Sequence, residues 1–171
     1  SSTRSSAVVP YTLAGRVSTR IQVEYQNQRS NPVEFRLADA APGLFSADAS
    51  GQGPGAILNQ DYSVNSPSNP APKGSVVMLY GTGAGQLQWA VVDGSITSTA
   101  PPWPEPILPV TALIGGRSAQ VLWVGPAPGF VAGVLQANVR VPEDAPSGAA
   151  VPVAIVVGNF GSQPGLTMAV R

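Results

Sequence analysis

A chain of 171 residues can hold one large domain or two small ones. It carries 19 Gly and 18 Pro but is 43% hydrophobic, which favours many short strands and tight turns over disorder. Nine basic residues balance nine acidic ones, so there is no basic stripe to meet nucleic acid; no cysteine is available for disulfides, and no apolar run of about 18 residues could span a membrane as a helix.

Residues 1–8, SSTRSSAV, are small and polar and read as a weak edge strand or an arm. Ile21, Val23 and Tyr25 alternate with Gln22 and Glu24, which predicts a half-buried strand over Arg20 to Tyr25. Gln26 to Asn31 is the turn. Val33, Phe35 and Leu37 alternate with Glu34 and Arg36 on the return strand. Ala40 to Ser46, AAPGLFS, leads out of this unit, with Leu44 and Phe45 expected to plug a core or a seam. Residues 47–73 are rich in Gly, Pro, Asn and Ser and read as a connector. A small hairpin is expected inside it, with Asn59-Gln60-Asp61 as its turn.

From residue 74 onward, seven short strands are predicted: Val76 to Tyr80, Leu87 to Val92, Ile107 to Ile114, Ala119 to Val124, Val131 to Val141, Val151 to Val157 and Leu166 to Val170. Val151 to Val157 is nearly all apolar and predicts a central strand buried on both faces. Gly115-Gly116 between two runs is a hairpin signal. The pattern reads as an all-β, immunoglobulin-like sandwich.

The chain also repeats itself. At a constant offset of 132, Ile21, Val23 and Tyr25 fall on Val153, Ile155 and Val157, Asn27 on Asn159, and Ser30-Asn31-Pro32 on Ser162-Gln163-Pro164. Three parts follow: a partial immunoglobulin-like unit at 1–46, the connector at 47–73 and a complete sandwich at 74–171. The first unit reads as the rear half of a sandwich, with an apolar hairpin face that nothing of its own covers.

The stretches LNQDYSVNSPSNPAPKGSVVMLYGTGAGQ, PVTALIGGRSAQVLWVGPAPGFVAGVLQANVRVP, VPVAIVVG and SQPGLTMAVR resemble a C-terminal domain family of secreted Solibacter-like acidobacterial proteins. VPYTLAG, IQVEYQ and APGLFSAD fit the same pattern. The resemblance covers nearly the whole chain. It implies tandem immunoglobulin-like sandwiches, an extracellular setting and a non-catalytic accessory role, and it supplies no active site.

Chemistry is scarce in these residues. Without histidine or cysteine there is no Ser-His-Asp or Cys-His catalysis and no imidazole ligand. Glu143-Asp144 are the adjacent carboxylates and read as a solvated turn. Gly81-Thr82-Gly83-Ala84-Gly85 lacks the helix that a phosphate loop needs behind it and reads as a wide turn or bulge. Asn59, Asp61, Asn65 and Asn69 offer oxygens to calcium, but their spacing suits Asx turns better. Lys73, the one lysine, lies in a turn and is a poor cross-linking residue. Trp89, Trp103 and Trp123, with Tyr62 and Tyr80, could form a sugar-stacking face; Trp103, among prolines, is the exposed candidate for ligand contact.

No cofactor, metal or enzymatic activity is expected. The leading expectation is an extracellular structural subunit, a homo-oligomer or filament built by head-to-tail strand or sheet complementation. Its assembly interface would be Ile21, Val23, Tyr25, Val33, Phe35 and Leu37. The alternative is a module that binds polysaccharide or another surface through Trp103.

Overall fold

A computed structural model of the chain describes residues 6–171. Of the strand or arm expected at 1–8, residues 1–5 lie outside the described residues, and Ser6 to Val8 are exposed and irregular. The first regular element is a single 3-10 turn, Tyr11–Leu13, anchored by Asp93, whose carboxylate accepts the Tyr11 N–H at 2.6 Å and the Thr12 hydroxyl at 3.1 Å.

Every regular element after it is a β-strand. In chain order the strands are β1 (Ser18–Ile21), β2 (Glu24–Tyr25), β3 (Gln28–Arg29), β4 (Val33–Arg36), β5 (Gly43–Leu44), β6 (Gly53–Pro54) and β7 (Ile57–Leu58). They continue with β8 (Val76–Thr82), β9 (Val110–Ile114), β10 (Arg117–Pro126), β11 (Val134–Arg140), β12 (Gly148–Val157), β13 (Phe160–Gly161) and β14 (Leu166–Val170). Strands β5 to β14 form one curled sheet, ordered β5-β8-β11-β10-β9-β12-β14-β6, with β7 on β8 and β13 on β12.

The curl has a local cause. The Arg117–Ala119 end of β10 pairs with β9, whereas from Gln120 onward β10 pairs with β11, with a register shift between Val121 and Trp123. A bulge of this kind bends the strand and lets it pass from one layer to the other. The layer with β8 and β11 then faces the layer with β9, β12 and β14. Val77, Leu79, Leu135, Val139, Ile114, Val153, Ile155 and Met168 meet between them. The fold is an all-β sandwich. The Gly115-Gly116 turn is as expected: both glycines take positive φ, 60° and 75°, and join Ile114 to Arg117 in the tight hairpin that suits strand twist.

Three expectations need correction. Leu87 to Val92 forms no strand; only Leu87 makes a bridge, to Pro106. β12 is central, between β9 and β14, but alternates: Val151, Val153, Ile155 and Val157 are buried, while Pro152 is exposed and Ala154 and Val156 are half-buried. It is therefore apolar-in on one face, as antiparallel sheets commonly are. Third, residues 47–73 are more than a connector. β6 pairs in parallel with β14, β7 pairs with β8, Ala71 bridges Val170, and Ile57 and Ala71 sit in the same core as Val77 and Leu79.

The glycines of Gly81 to Gly85 are explained by this packing. Residues 39–44 run antiparallel along the end of β8, with Gly43 opposite Thr82 and Leu44 opposite Gly81. The Ala41 N–H donates to the Gly83 carbonyl at 3.0 Å. A Cβ at Gly81, Gly83 or Gly85 would collide with the carbonyl oxygen of Gly43, Ala41 or Asp39 respectively. Every second residue must be glycine so that two backbones can touch. Leu44 fills the core as expected, while Phe45 stays largely exposed.

Two expected outcomes follow. Ile155→Ala, in a fully buried position, should destabilise the fold by about 2–5 kcal/mol in denaturant titration. Gly83→Ala adds a side chain at φ 80° against backbone, and should free residues 39–44, read as faster amide exchange at Ala41 and Phe45.

Candidate functional site

The hairpin from Ser18 to Arg36 is a separate two-stranded ribbon. β1 pairs with β4 in the register Ser18 to Arg36, Thr19 to Phe35, Arg20 to Glu34 and Ile21 to Val33. β2 pairs with β3 beyond it, Glu24 to Arg29 and Tyr25 to Gln28. The turn is tighter than expected: Gln26 and Asn27 alone make it, both at positive φ, 49° and 61°. The Leu37 N–H donates to the Val17 carbonyl at 3.0 Å and closes the base.

Strand alternation gives this ribbon two unlike faces. Thr19, Ile21, Val33 and Phe35 share one; Ser18, Arg20, Glu34 and Arg36 share the other. The apolar face has no cover among the described residues. Relative exposure is 51% at Ile21, 54% at Val23, 72% at Tyr25, 53% at Val33 and 48% at Phe35, and Leu37 is half-buried at the base. The six expected interface residues are thus brought together on one ribbon. At its base an open cavity of about 980 Å³ is lined by Arg16, Glu34, Arg36 and Asp39 among others.

The repeat is visible in hydrogen bonds. In the ribbon the Ser30 N–H donates to the Val23 carbonyl at 2.9 Å, and the Val23 N–H donates to the Ser30 hydroxyl oxygen at 3.0 Å. At the offset of 132, the Ser162 N–H donates to the Ile155 carbonyl at 2.8 Å, and the Ile155 N–H to the Ser162 hydroxyl oxygen at 3.1 Å. Tyr25 pairs with Gln28 as Val157 pairs with Phe160. The two turns differ only in type, Gly158 alone taking positive φ in the second. Past Pro32 and Pro164 the correspondence slips by one residue: Thr19 pairs with Phe35, but Pro152 pairs with Thr167. The gapless alignment therefore holds through Pro32 and fails beyond it.

The burial of the two copies is opposite. Val153, Ile155 and Val157 are 3%, 0% and 0% exposed, whereas their counterparts Ile21, Val23 and Tyr25 are more than half exposed. The second copy has β9 on its outer edge, with the Gly115 N–H donating to the Pro152 carbonyl at 2.8 Å and the Gly158 N–H to the Pro109 carbonyl at 2.8 Å. Among the described residues the ribbon has no strand there.

The other candidates are engaged within the fold. Trp103 is half-buried rather than exposed. Its indole N–H donates to the Ser98 carbonyl at 2.7 Å, and its ring meets Trp123 edge to face, centroids 5.6 Å apart. A tilted pair of this kind presents no flat stacking platform. Trp89 is the more exposed tryptophan. Asp61 makes the expected Asx turn, accepting the Ser63 N–H at 3.0 Å, and hydrogen bonds from the Ser63 hydroxyl and then its N–H hold its carboxyl below the usual range. Asn59 and Asn65 are buried and fully engaged. The Asn65 amide donates to Asn59 Oδ1 at 3.0 Å and to the Ala169 carbonyl at 2.9 Å, and its Oδ1 accepts the Ala169 N–H at 2.8 Å. Asn65 pins the connector to β14, and Asn59 holds Asn65 in place. Asp144 pairs loosely with Arg117 at 3.5 Å, both exposed. Lys73 is half-buried, and its N–H donates to the Arg171 carbonyl.

One acid escaped the sequence reading. Asp48 Oδ1 accepts the Ser46 hydroxyl at 2.9 Å and the Ser50 N–H at 3.0 Å, and the Gly51 N–H donates to the Ser46 hydroxyl oxygen at 2.8 Å. Hydrogen bonds from Ser50, and then from Ser46, lower its carboxyl to about 2. Nothing but the S-x-D-x-S spacing marks it in the sequence. No described helix is long and apolar enough to cross a membrane. Comparison with protein families, curated proteins and solved structures found no match to this chain.

The Asp48 loop makes a pH test. A carboxyl depressed in the folded state stabilises the fold above its unfolded value near 3.8, and that contribution fades as pH falls toward about 2. The protection of the Gly51 amide, its exchange relative to the intrinsic rate at each pH, should therefore fall across this window, and Asp48→Asn should remove that fall.

Proposed function

We propose that this protein is an extracellular structural module, without catalytic activity, whose copies assemble through the Ser18–Arg36 ribbon. The observation that carries the reading is the contrast within one chain: residues buried to 3% or less in the second copy of the repeat are at least half exposed in the first. A clustered apolar face is costly in water and marks a contact surface. The resemblance to domains of secreted proteins supports the extracellular setting, and a neutral chain with 11% charged residues suits close packing between copies.

Geometry narrows how the contact can be made. The large sheet ends at β5 and β6, each two residues long, and β6 contains Pro54. Short, proline-bearing edges resist strand addition. A neighbour's strand inserted into the sandwich would find no long edge there among the described residues. Among the described residues the ribbon has both an unpaired edge and an apolar face, so the contact falls on the ribbon itself, and repeated contacts build the larger assembly.

Phe35→Glu places a charge on the apolar face. Size-exclusion chromatography and negative-stain microscopy should show assemblies for the unaltered protein and their loss in the variant, because a buried unpaired charge is expensive. Near-ultraviolet circular dichroism should be unchanged, since Trp103 and Trp123 lie in the sandwich. A monodisperse monomer before substitution would refute the reading.

A further inference from the structure

We infer that the partner of the ribbon's free edge is the same edge of a second copy, paired antiparallel about a two-fold axis at Gln22. This deepens, and rests on, the assembly reading above.

The edge is defined by main-chain direction. In an antiparallel ladder, alternate residues point their N–H and C=O groups to opposite sides. Val17 and Val23 direct their carbonyls inward, to Leu37 and Ser30. Arg20, Gln22 and Glu24, on the other parity, therefore direct theirs outward. Their counterparts at the offset of 132 are Pro152, Ala154 and Val156, which lie opposite Gly115, Leu113 and Thr111 across the β9 ladder. The repeat thus specifies the chemistry of the occupant: an antiparallel strand whose main-chain groups pair with those three residues.

A second copy meets that requirement through the ribbon. Strand addition at the sandwich's own ends is blocked by the brevity of β5 and β6. The ribbon edge, by contrast, is complementary to itself. Its sequence Arg20-Ile21-Gln22-Val23-Glu24 reads plus, apolar, neutral, apolar, minus. Turned about Gln22, Arg20 of one copy faces Glu24 of the other, Gln22 faces Gln22, and Ile21 faces Val23. The residues so opposed at Arg20, Gln22 and Glu24 are the ones with outward main-chain groups, so charge register and hydrogen-bond register agree. Glu24 already holds Arg29 of its own strand pair at 2.9 Å, and the second copy's Arg20 would approach the same carboxylate. Opposite charges across a ladder favour one register and like charges disfavour it. The paired ribbons form one wider sheet, with the apolar faces of both copies available for the next contact in a larger assembly.

The test uses three further variants of the full chain beside Phe35→Glu. Arg20→Glu and Glu24→Arg each set like charges across the axis, and should each weaken dimerisation about tenfold in sedimentation velocity. Mixed in equal amounts, the two variants present opposite charges at both positions and should recover association near that of the unaltered protein. Gln22→Cys supplies the sole thiol in a cysteine-free chain. A short bis-maleimide should join two copies through it. Recovery on mixing together with cross-linking at position 22 supports the two-fold edge. Association that ignores both charge variants and leaves position 22 uncrosslinked, yet is lost in Phe35→Glu, overturns the edge pairing while leaving assembly through the ribbon standing. Absence of self-association at every concentration, including occupation of the ribbon by another protein, overturns both.

Discussion

A strand within a sheet must satisfy main-chain donors and acceptors along both of its edges, and most of this molecule follows from how that requirement is met. β12 meets it fully, with β9 on one edge and β13 and β14 on the other. Around that strand the second layer is built, and its inward side chains close the core against β8 and β11. The ribbon at Ser18–Arg36 reproduces the turn and serine closure beside β12 but, among the described residues, only one of its two edges. Its exposed face and unpaired groups are two aspects of one unmet requirement.

The closing of the sandwich relies on contacts that carry little side-chain bulk. Glycines at 81, 83 and 85 let residues 39–44 lie directly on backbone. Asn65, which donates to Asn59 Oδ1, reaches the Ala169 main chain with its side-chain amide and accepts the N–H that a longer strand would have paired. Gln163 does the same for Leu44, accepting its N–H at 3.0 Å and donating to its carbonyl at 2.6 Å. Buried amides satisfied on every side add specificity at little cost, because no donor is stranded.

What could be read from the sequence was whatever has a short period. Short apolar runs located β8, β12 and β14, and adjacent glycines located the turn at residues 115 and 116. The ribbon's apolar face was equally plain in Ile21, Val33 and Phe35. What escaped depends on partners distant in sequence. Residues 47–73 are polar enough to read as a linker, since their strands are two residues long and their anchors lie about a hundred positions away. Trp103 sits among prolines that suggest exposure, but its partner is Trp123 across the fold. The charge symmetry of Arg20 to Glu24 acquired meaning only once the outward edge of the strand was known. The 132-residue repeat was legible through Pro32, where matching turns preserve register, and misled beyond it, where one strand slides by a residue.

The distance between the connector and its anchors also governs how the chain can be made. Asn65 waits for Ala169, 104 residues later, and Leu44 waits for Gln163, 119 residues later. At roughly 5–20 residues per second of synthesis, these joints open a gap on the order of ten seconds on the ribosome. During it, Leu44 and Ile57 have no C-terminal strand to shelter under, and contacts of such high order form slowly even once the chain is complete. The nascent protein therefore passes through a period when its future core is exposed, and β14 is the strand that ends it.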